Sequence, residues 1–295
     1  MVEVEPHTDE IDGEPVSWRS GSAEGTPTLY LHGVPNSSLM WLPFLERTGG
    51  VALDLPGFGE SVKAVTFPYS IAGFDGYVER FLDWLELERV NLVMHDWGAA
   101  ALAFAERVPQ RVERIVLINA LPLFDGYSWH RLARIWRMPV LGELWMGCLT
   151  PRMLRRTLRG ANAAPLPEHE LHEIHRQLDF GTQRAILKLY RSVKPGTLAA
   201  AGERLGEIDC PALIVWGERD PYIPVAVAQQ YARALGGHCE VGFPGRRALA
   251  VARSPGRRRH RGPVPRAKLS RSIPSAADDG SPRSSAGTCV TKRMG

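Results

Sequence analysis

Cysteine is scarce in this chain. Its 295 residues hold four, Cys148, Cys210, Cys239 and Cys289, scattered without the paired spacing of a metal site. That argues against a disulfide-stapled or metal-stapled scaffold, so no metal is expected, and it fits reduced thiols. Long apolar runs are lacking as well, so no segment is long enough to span a bilayer and no membrane partner is expected. The opening stretch, Met1-Val2-Glu3-Val4-Glu5, is acidic and polar and does not read as a secretory signal; the expected location is the cytoplasm. A third scarcity is local: no histidine occurs between His238 and His260.

What is present suits one large globular core, with or without an inserted lobe: 44% of residues are hydrophobic and 23% charged. The net charge of +4 conceals two unlike parts. From Arg246 onward lie 13 of the 36 Lys and Arg and 2 of the 32 Asp and Glu, which leaves 23 basic and 30 acidic residues in the first 245. The body is mildly acidic and the last fifty residues are strongly basic. Such a basic run often marks a nucleic-acid or membrane arm.

The chain is organised around Val93-Met94-His95-Asp96-Trp97-Gly98-Ala99. Val90 to Met94 reads as a buried strand. Gly98 to Phe104 reads as the start of a helix packed tightly on a sheet. The small residues let helix and strand approach, which lifts Asp96 to the apex of a sharp turn. This is the pattern of a nucleophile elbow with Asp in the Ser position. An Asp that merely caps the helix is the alternative.

Further apolar segments at 16–19, 28–31, 51–54, 115–119, 212–216 and near 239–243 predict strands. They are separated by helices, among them one opening at Ser70 with Ile71, Phe74, Val78, Phe81, Leu82 and Leu85 at helical spacing, and another over 225–235. Buried strands alternating with helices predict a parallel sheet covered on both faces. From 123 to 207 the strand signal fades and helical spacing takes over. The predicted organisation is a core over 1–122, a helical lid over 123–207, the rest of the core over 208–245 and a basic tail over 246–295.

Five segments in this order carry a resemblance: His32-Gly33-Val34-Pro35, Asp54-Leu55-Pro56-Gly57-Phe58-Gly59-Glu60-Ser61, His95-Asp96-Trp97-Gly98, the helical stretch, and Trp216-Gly217-Glu218-Arg219-Asp220. The chain resembles the α/β-hydrolase fold, in its Asp-nucleophile branch of epoxide hydrolases and haloalkane dehalogenases. The resemblance covers residues 16 to about 244. It implies Asp96 as nucleophile, the backbone N–H groups of Val34 and Trp97 as oxyanion hole, and Asp220 as the acid that orients a His. It implies a small-molecule substrate and water as partners, and no cofactor. A carboxylate attacks an sp³ carbon to give an ester, which activated water then hydrolyses. His95 and His32 are expected to be structural, His95 with its ring turned away from the site.

The leaving group stays open between two kinds. A halide needs weak N–H donors, which Trp97 supplies through its indole, while Val34 offers no second one; Asn36, Trp129 and Trp145 are candidates. An epoxide oxygen needs an acid. Leu187-Lys188-Leu189-Tyr190-Arg191 resembles the late-lid segment that carries a catalytic Tyr, with Tyr127 a second candidate and packing the alternative for both. The residues lean slightly to epoxide opening.

The base is missing. Relatives carry it in a loop reading roughly Gly-His-Trp/Phe-Pro after the last strand; here that stretch is Phe243-Pro244-Gly245-Arg246-Arg247-Ala248-Leu249-Ala250-Val251. Codons for Arg247 to Gly256, read one base later, permit Gly-His-Trp-Pro-Trp-Leu-Asp-Arg-Pro, the expected loop. The same shift further on permits an amphipathic closing helix. Residues from about 245 onward are therefore expected to be an out-of-frame translation, with the catalytic base unknown and activity impaired. A non-catalytic ligand-binding remnant, or a nucleic-acid-binding protein with a true basic tail, are the competing expectations.

Overall fold

The structure, a computed structural model, is described for residues 2–158 and 166–242. The basic tail, the loop expected to hold the base, His260 and Cys289 lie outside the described residues.

Eight strands form one sheet: β1 (Val4–Ile11), β2 (Glu14–Gly21), β3 (Thr28–Leu31), β4 (Gly50–Leu53), β5 (Val90–His95), β6 (Val112–Ile118), β7 (Ala212–Val215) and β8 (Cys239–Gly242). Their order is β1-β2-β4-β3-β5-β6-β7-β8. The β1–β2 and β2–β4 pairs are antiparallel and the remaining pairs parallel. This is the mostly parallel sheet flanked by helices that the alternating pattern predicts. β1 is the strand the pattern does not show, because it is an edge strand whose side chains are mostly exposed. It forms through the hairpin turn Asp12-Gly13, both at positive φ, the dipeptide that favours a two-residue turn.

The helices are α1 (Leu42–Thr48), α2 (Ile71–Trp84), α3 (Leu102–Arg107), α4 (Arg131–Arg137), α5 (Leu141–Gly147), α6 (Pro151–Leu158), α7 (Glu168–Gln177), α8 (Phe180–Ser192), α9 (Thr197–Ala201) and α10 (Ala226–Ala234). α2 begins where its cap directs: the Ser70 hydroxyl accepts from Gly73 N at 3.1 Å. Its buried side chains, Ile71, Phe74, Tyr77, Val78, Phe81 and Leu82, join the main core under the sheet. The helices α4 to α9 all fall between β6 and β7, where the helical spacing begins.

The opposite sheet face is thinly covered. Tyr30, Trp41, Leu45, Ala52 and Val93 form a small separate core there, with Val116 and Ile118 half-buried at its margin. Register places Val93, Val116 and Leu213 in one row across β5, β6 and β7. Leu213 is 36% exposed, although strands in parallel sheets are ordinarily buried on both faces. Among the described residues nothing caps this end of the row.

Candidate active site

β5 ends at His95, and the chain turns at Asp96 with φ +49 into a short 3₁₀ turn before α3. A non-glycine residue in that region is strained, as at a nucleophile elbow. Gly98 permits the turn: a Cβ there would lie 2.4 Å from the Leu31 carbonyl oxygen and 2.9 Å from that of His32. Beyond the elbow, Leu121 N donates to the Asp96 carbonyl at 3.0 Å.

The carboxylate meets the loop after β3. Val34 N donates to Asp96 Oδ2 at 2.9 Å, and Gly33 leaves room, since a Cβ on it would sit 2.4 Å from that of Asp96. Two buried polar residues brace this loop. His32 Nε2 accepts from Leu55 N at 2.9 Å, so the neutral ring carries its proton on Nδ1, 3.0 Å from the Gly33 carbonyl. Burial lowers the His32 pKa, with the Asp54 charge opposing. Asp54 in turn accepts from Ser38 N at 2.6 Å and Glu60 N at 3.1 Å. His32 is thus the bracing residue its sequence context suggests.

Burial pushes the Asp96 carboxyl up to about 7, against the backbone N–H groups of Val34 and Trp97, and the Asp220 charge adds to the rise. The two donors expected for an oxyanion hole therefore already converge on this carboxylate. Asp220 follows β7 and is fully engaged: Oδ1 accepts from Tyr222 N at 2.7 Å and Ile223 N at 3.0 Å, and Oδ2 from the Asn119 side chain. Asn119, at φ +43 just after β6, also accepts from Gly217 N at 3.1 Å and so ties the two strand ends together. Sequence reasoning missed it, though a polar residue closing the apolar run Ile115–Ile118 was a usable signal.

A cavity of about 960 Å³ opens between these strand ends and the intervening helices. Asn36, Trp97, Tyr127, Tyr190, Trp129 and Trp145 all border it, together with Asp96 and Asp220. Trp97 lies parallel to Trp129 at 6.2 Å, and Tyr190 stands edge-on to Trp97 at 5.1 Å. The Trp97 indole N–H is buried and makes no full hydrogen bond among the described residues, though it is close enough to the Tyr190 hydroxyl to oppose the rise in that phenol's pKa. Burial, then the Asp96 charge, keeps Tyr190 protonated well beyond its ordinary range. Tyr127 is raised for the same reasons, but its hydroxyl is occupied, donating to the Tyr222 carbonyl at 3.1 Å.

One expectation needs correcting. His95 is not remote from the site: it borders the cavity, feels the Asp220 charge, and has its Nδ1 buried without a partner among the described residues. The reason is register, since β5 stays extended through His95 and turns only at Asp96. Burial pulls His95 down to about 4. His130, unnoticed in the sequence, also borders the cavity; its Nδ1 caps α4 by accepting from Ala133 N at 3.2 Å, and burial lowers it to about 4. His238 stands before β8, 3.7 Å from Glu240, and does not border the cavity.

A mostly parallel sheet of this order, with a strained acid at the elbow after β5 and backbone donors turned on it, defines a hydrolase of the α/β type. The chain belongs to the Alpha/beta hydrolase family, whose profile matches residues 29–254. It is 38% identical to a haloalkane dehalogenase of Agrobacterium fabrum over 100 residues, 32% of this chain and 33% of that one. It is 28% identical to a haloalkane dehalogenase of Mycolicibacterium paratuberculosis over 253 residues, 74% of this chain and 79% of the relative. The acetyltransferase component of the acetoin cleaving system of Cupriavidus necator is 28% identical over 236 residues, which span 59% of that protein. Among solved structures, haloalkane dehalogenase DbeA from Bradyrhizobium elkani matches with TM-score 0.69 and 26% identity, covering 82% of this chain and 89% of its own.

Proposed function

We propose that the chain is built to cleave a carbon–halogen bond in a small apolar haloalkane through an ester on Asp96, under a lid formed by α4 to α9. One Asp96 oxygen attacks the carbon, and the halide departs with the bonding pair. The Trp97 indole and the Tyr190 hydroxyl supply the donors for that halide. Water then attacks the ester carbonyl, whose oxygen gathers charge toward Val34 N and Trp97 N. One such donor is worth about 3 kcal/mol in comparable sites.

The observation that carries this reading is the buried Trp97 N–H, short of a full hydrogen bond beside a carboxylate nucleophile on an aromatic cavity wall. Most buried donors are paired with protein or ordered water, so this one is available to a ligand. The similarity to haloalkane dehalogenases moves the balance from epoxide to halide. Epoxide opening stays as the second reading, supported by the neutral Tyr190 phenol as an acid for the ring oxygen.

The second half-reaction is the impaired one. Phe243 to Val251 offers arginines where a base is needed, and Arg does not accept a proton. The chain as translated is therefore proposed to stop at the ester, and a frame shift near codon 245 to be the cause. The test is incubation with a bromoalkane and, separately, an epoxide, followed by mass analysis of the Asp96 peptide. An alkyl adduct with the bromide supports this reading. An adduct with the epoxide alone favours the second, and no adduct on folded protein leaves a ligand-binding remnant.

A further inference from the structure

Nine large apolar side chains are exposed among the described residues, and five of them, Met138, Val140, Leu141, Leu144 and Met153, fall within α5, α6 and the turn before them. The turn is strained outward. Leu141 N donates to the Pro139 carbonyl at 2.8 Å across Val140, which sits at φ +69 and ψ −52, a γ-turn of the rare positive-φ hand and costly for a β-branched residue. Val140 at its tip is 67% exposed. Residues 131–156 also hold six arginines and one acid, Glu143, in a body that is otherwise acidic. Glu143 accepts from both terminal guanidinium nitrogens of Arg191, at 2.6 and 2.8 Å. Exposed Arg131, Arg152 and Arg156 make no ion pair among the described residues. On their inner side the same three helices wall the cavity, through Trp136, Trp145, Met146, Leu154 and Leu158.

We propose that α4 to α6 form a docking surface for an anionic lipid membrane. Exposed leucine and methionine interspersed along one short segment with unpaired arginine is the pattern of an interfacial segment, apolar tip in the acyl boundary and guanidinium groups at the headgroups. Charge decides among occupants. A second copy packed two-fold on this patch would oppose its arginines with themselves. The run from Arg246 onward is itself strongly basic and repels the patch. A nucleic acid would satisfy the arginines and leave the apolar tip in water. Among the described residues no helix is long and apolar enough to cross a membrane, so the contact is peripheral and revises the expectation of no membrane partner. Docking needs no substrate and stands apart from the reaction proposed above.

Exposed Cys148, which joins α5 to α6, offers a probe. The full chain carrying Cys239→Ser and Cys289→Ser is labelled there with an environment-sensitive dye and mixed with phosphatidylcholine vesicles, with and without phosphatidylglycerol. The expected result is enhanced emission with the anionic vesicles alone, diminished by salt. Leu141→Glu with Leu144→Glu should abolish it. Arg152→Gln with Arg156→Gln should weaken binding by about fivefold per arginine, the equivalent of about 1 kcal/mol each. Circular dichroism checks that both variants stay folded. Emission that ignores the anionic lipid overturns the proposal. So does binding that survives both double variants, which would assign it to the basic run. A dimer in sedimentation that both variants dissolve would give the surface to a second copy instead.

Discussion

Val34 N donates to Asp96 Oδ2 at 2.9 Å across 62 positions of sequence. The donor belongs to the backbone, so the Val34 side chain is not part of it. Asp96→Asn is expected to abolish the alkyl adduct, while Val34→Ala leaves it within a few-fold. Intact-mass measurement after incubation with a bromoalkane checks both, and an adduct that persists in Asp96→Asn would move the nucleophile elsewhere.

The rate of adduct formation should depend on pH. A carboxylate nucleophile attacks only when ionised, and the Asp96 carboxyl is held up to about 7 by burial. The rate should rise with pH and level off above roughly neutral pH. The same shift has a stability consequence of opposite sign. A carboxyl whose folded pKa is raised binds more protons folded than unfolded, so its contribution is full below the unfolded value near 3.8 and is lost as pH rises through 7. Replacing it by Asn should remove that loss, measured as a flatter urea-midpoint profile between those limits.

Asn119 holds Asp220 and the Gly217 N–H at once. Asn119→Ala leaves a carboxylate oxygen and a backbone donor without their partner, at a cost of about 1–3 kcal/mol. Alanine also tolerates the positive φ at this position less well than asparagine. Asn119→Asp should cost more, because it sets two carboxylates side by side. Urea denaturation gives both values.

Gly98→Ala should be worse than its single methyl suggests. The added carbon would lie 2.4 Å from the Leu31 carbonyl oxygen, and backbone on both sides leaves no flexible atom to yield. A loss near the upper end of about 1–3 kcal/mol is expected, with adduct formation falling as the elbow shifts. Unfolding curves and adduct rates on the same preparation separate the two effects.

Deleting one base near codon 245 should restore a Gly-His-Trp-Pro loop and the closing helix together. Leu213, 36% exposed, and half-buried Val116 and Ile118 are the side chains such a helix could cover. Covering each large apolar side chain contributes up to about 1.5–3 kcal/mol. The repaired chain should be more stable and release many halide ions per molecule, where the present chain releases at most one. Repeated turnover by the unrepaired chain would sink the frame-shift account and call for another base, with His95 and His130 the imidazoles that feel the Asp220 charge.

Much of this was legible in one dimension because it is local. Buried parallel strands are apolar throughout, so β3 to β7 stand out, and Ser70 marks the start of α2 through a bond three residues long. The elbow was legible because its geometry demands small residues after Asp96. β1 was not, because an exposed edge strand carries no apolar alternation and owes its existence to pairing with β2.

By itself the sequence determined the fold family, the elbow and the acid after β7, since each rests on contacts among neighbours or on a fixed order of segments. Only the tertiary structure decided how the site is wired. That Asn119 clasps Asp220, 101 positions away, and that Tyr190 leans on Trp97 depends on which strand ends lie side by side. It also decided that Asp96 is held near neutrality. Burial and the two converging N–H groups act through distance in space, and strand order sets that distance where spacing along the chain does not.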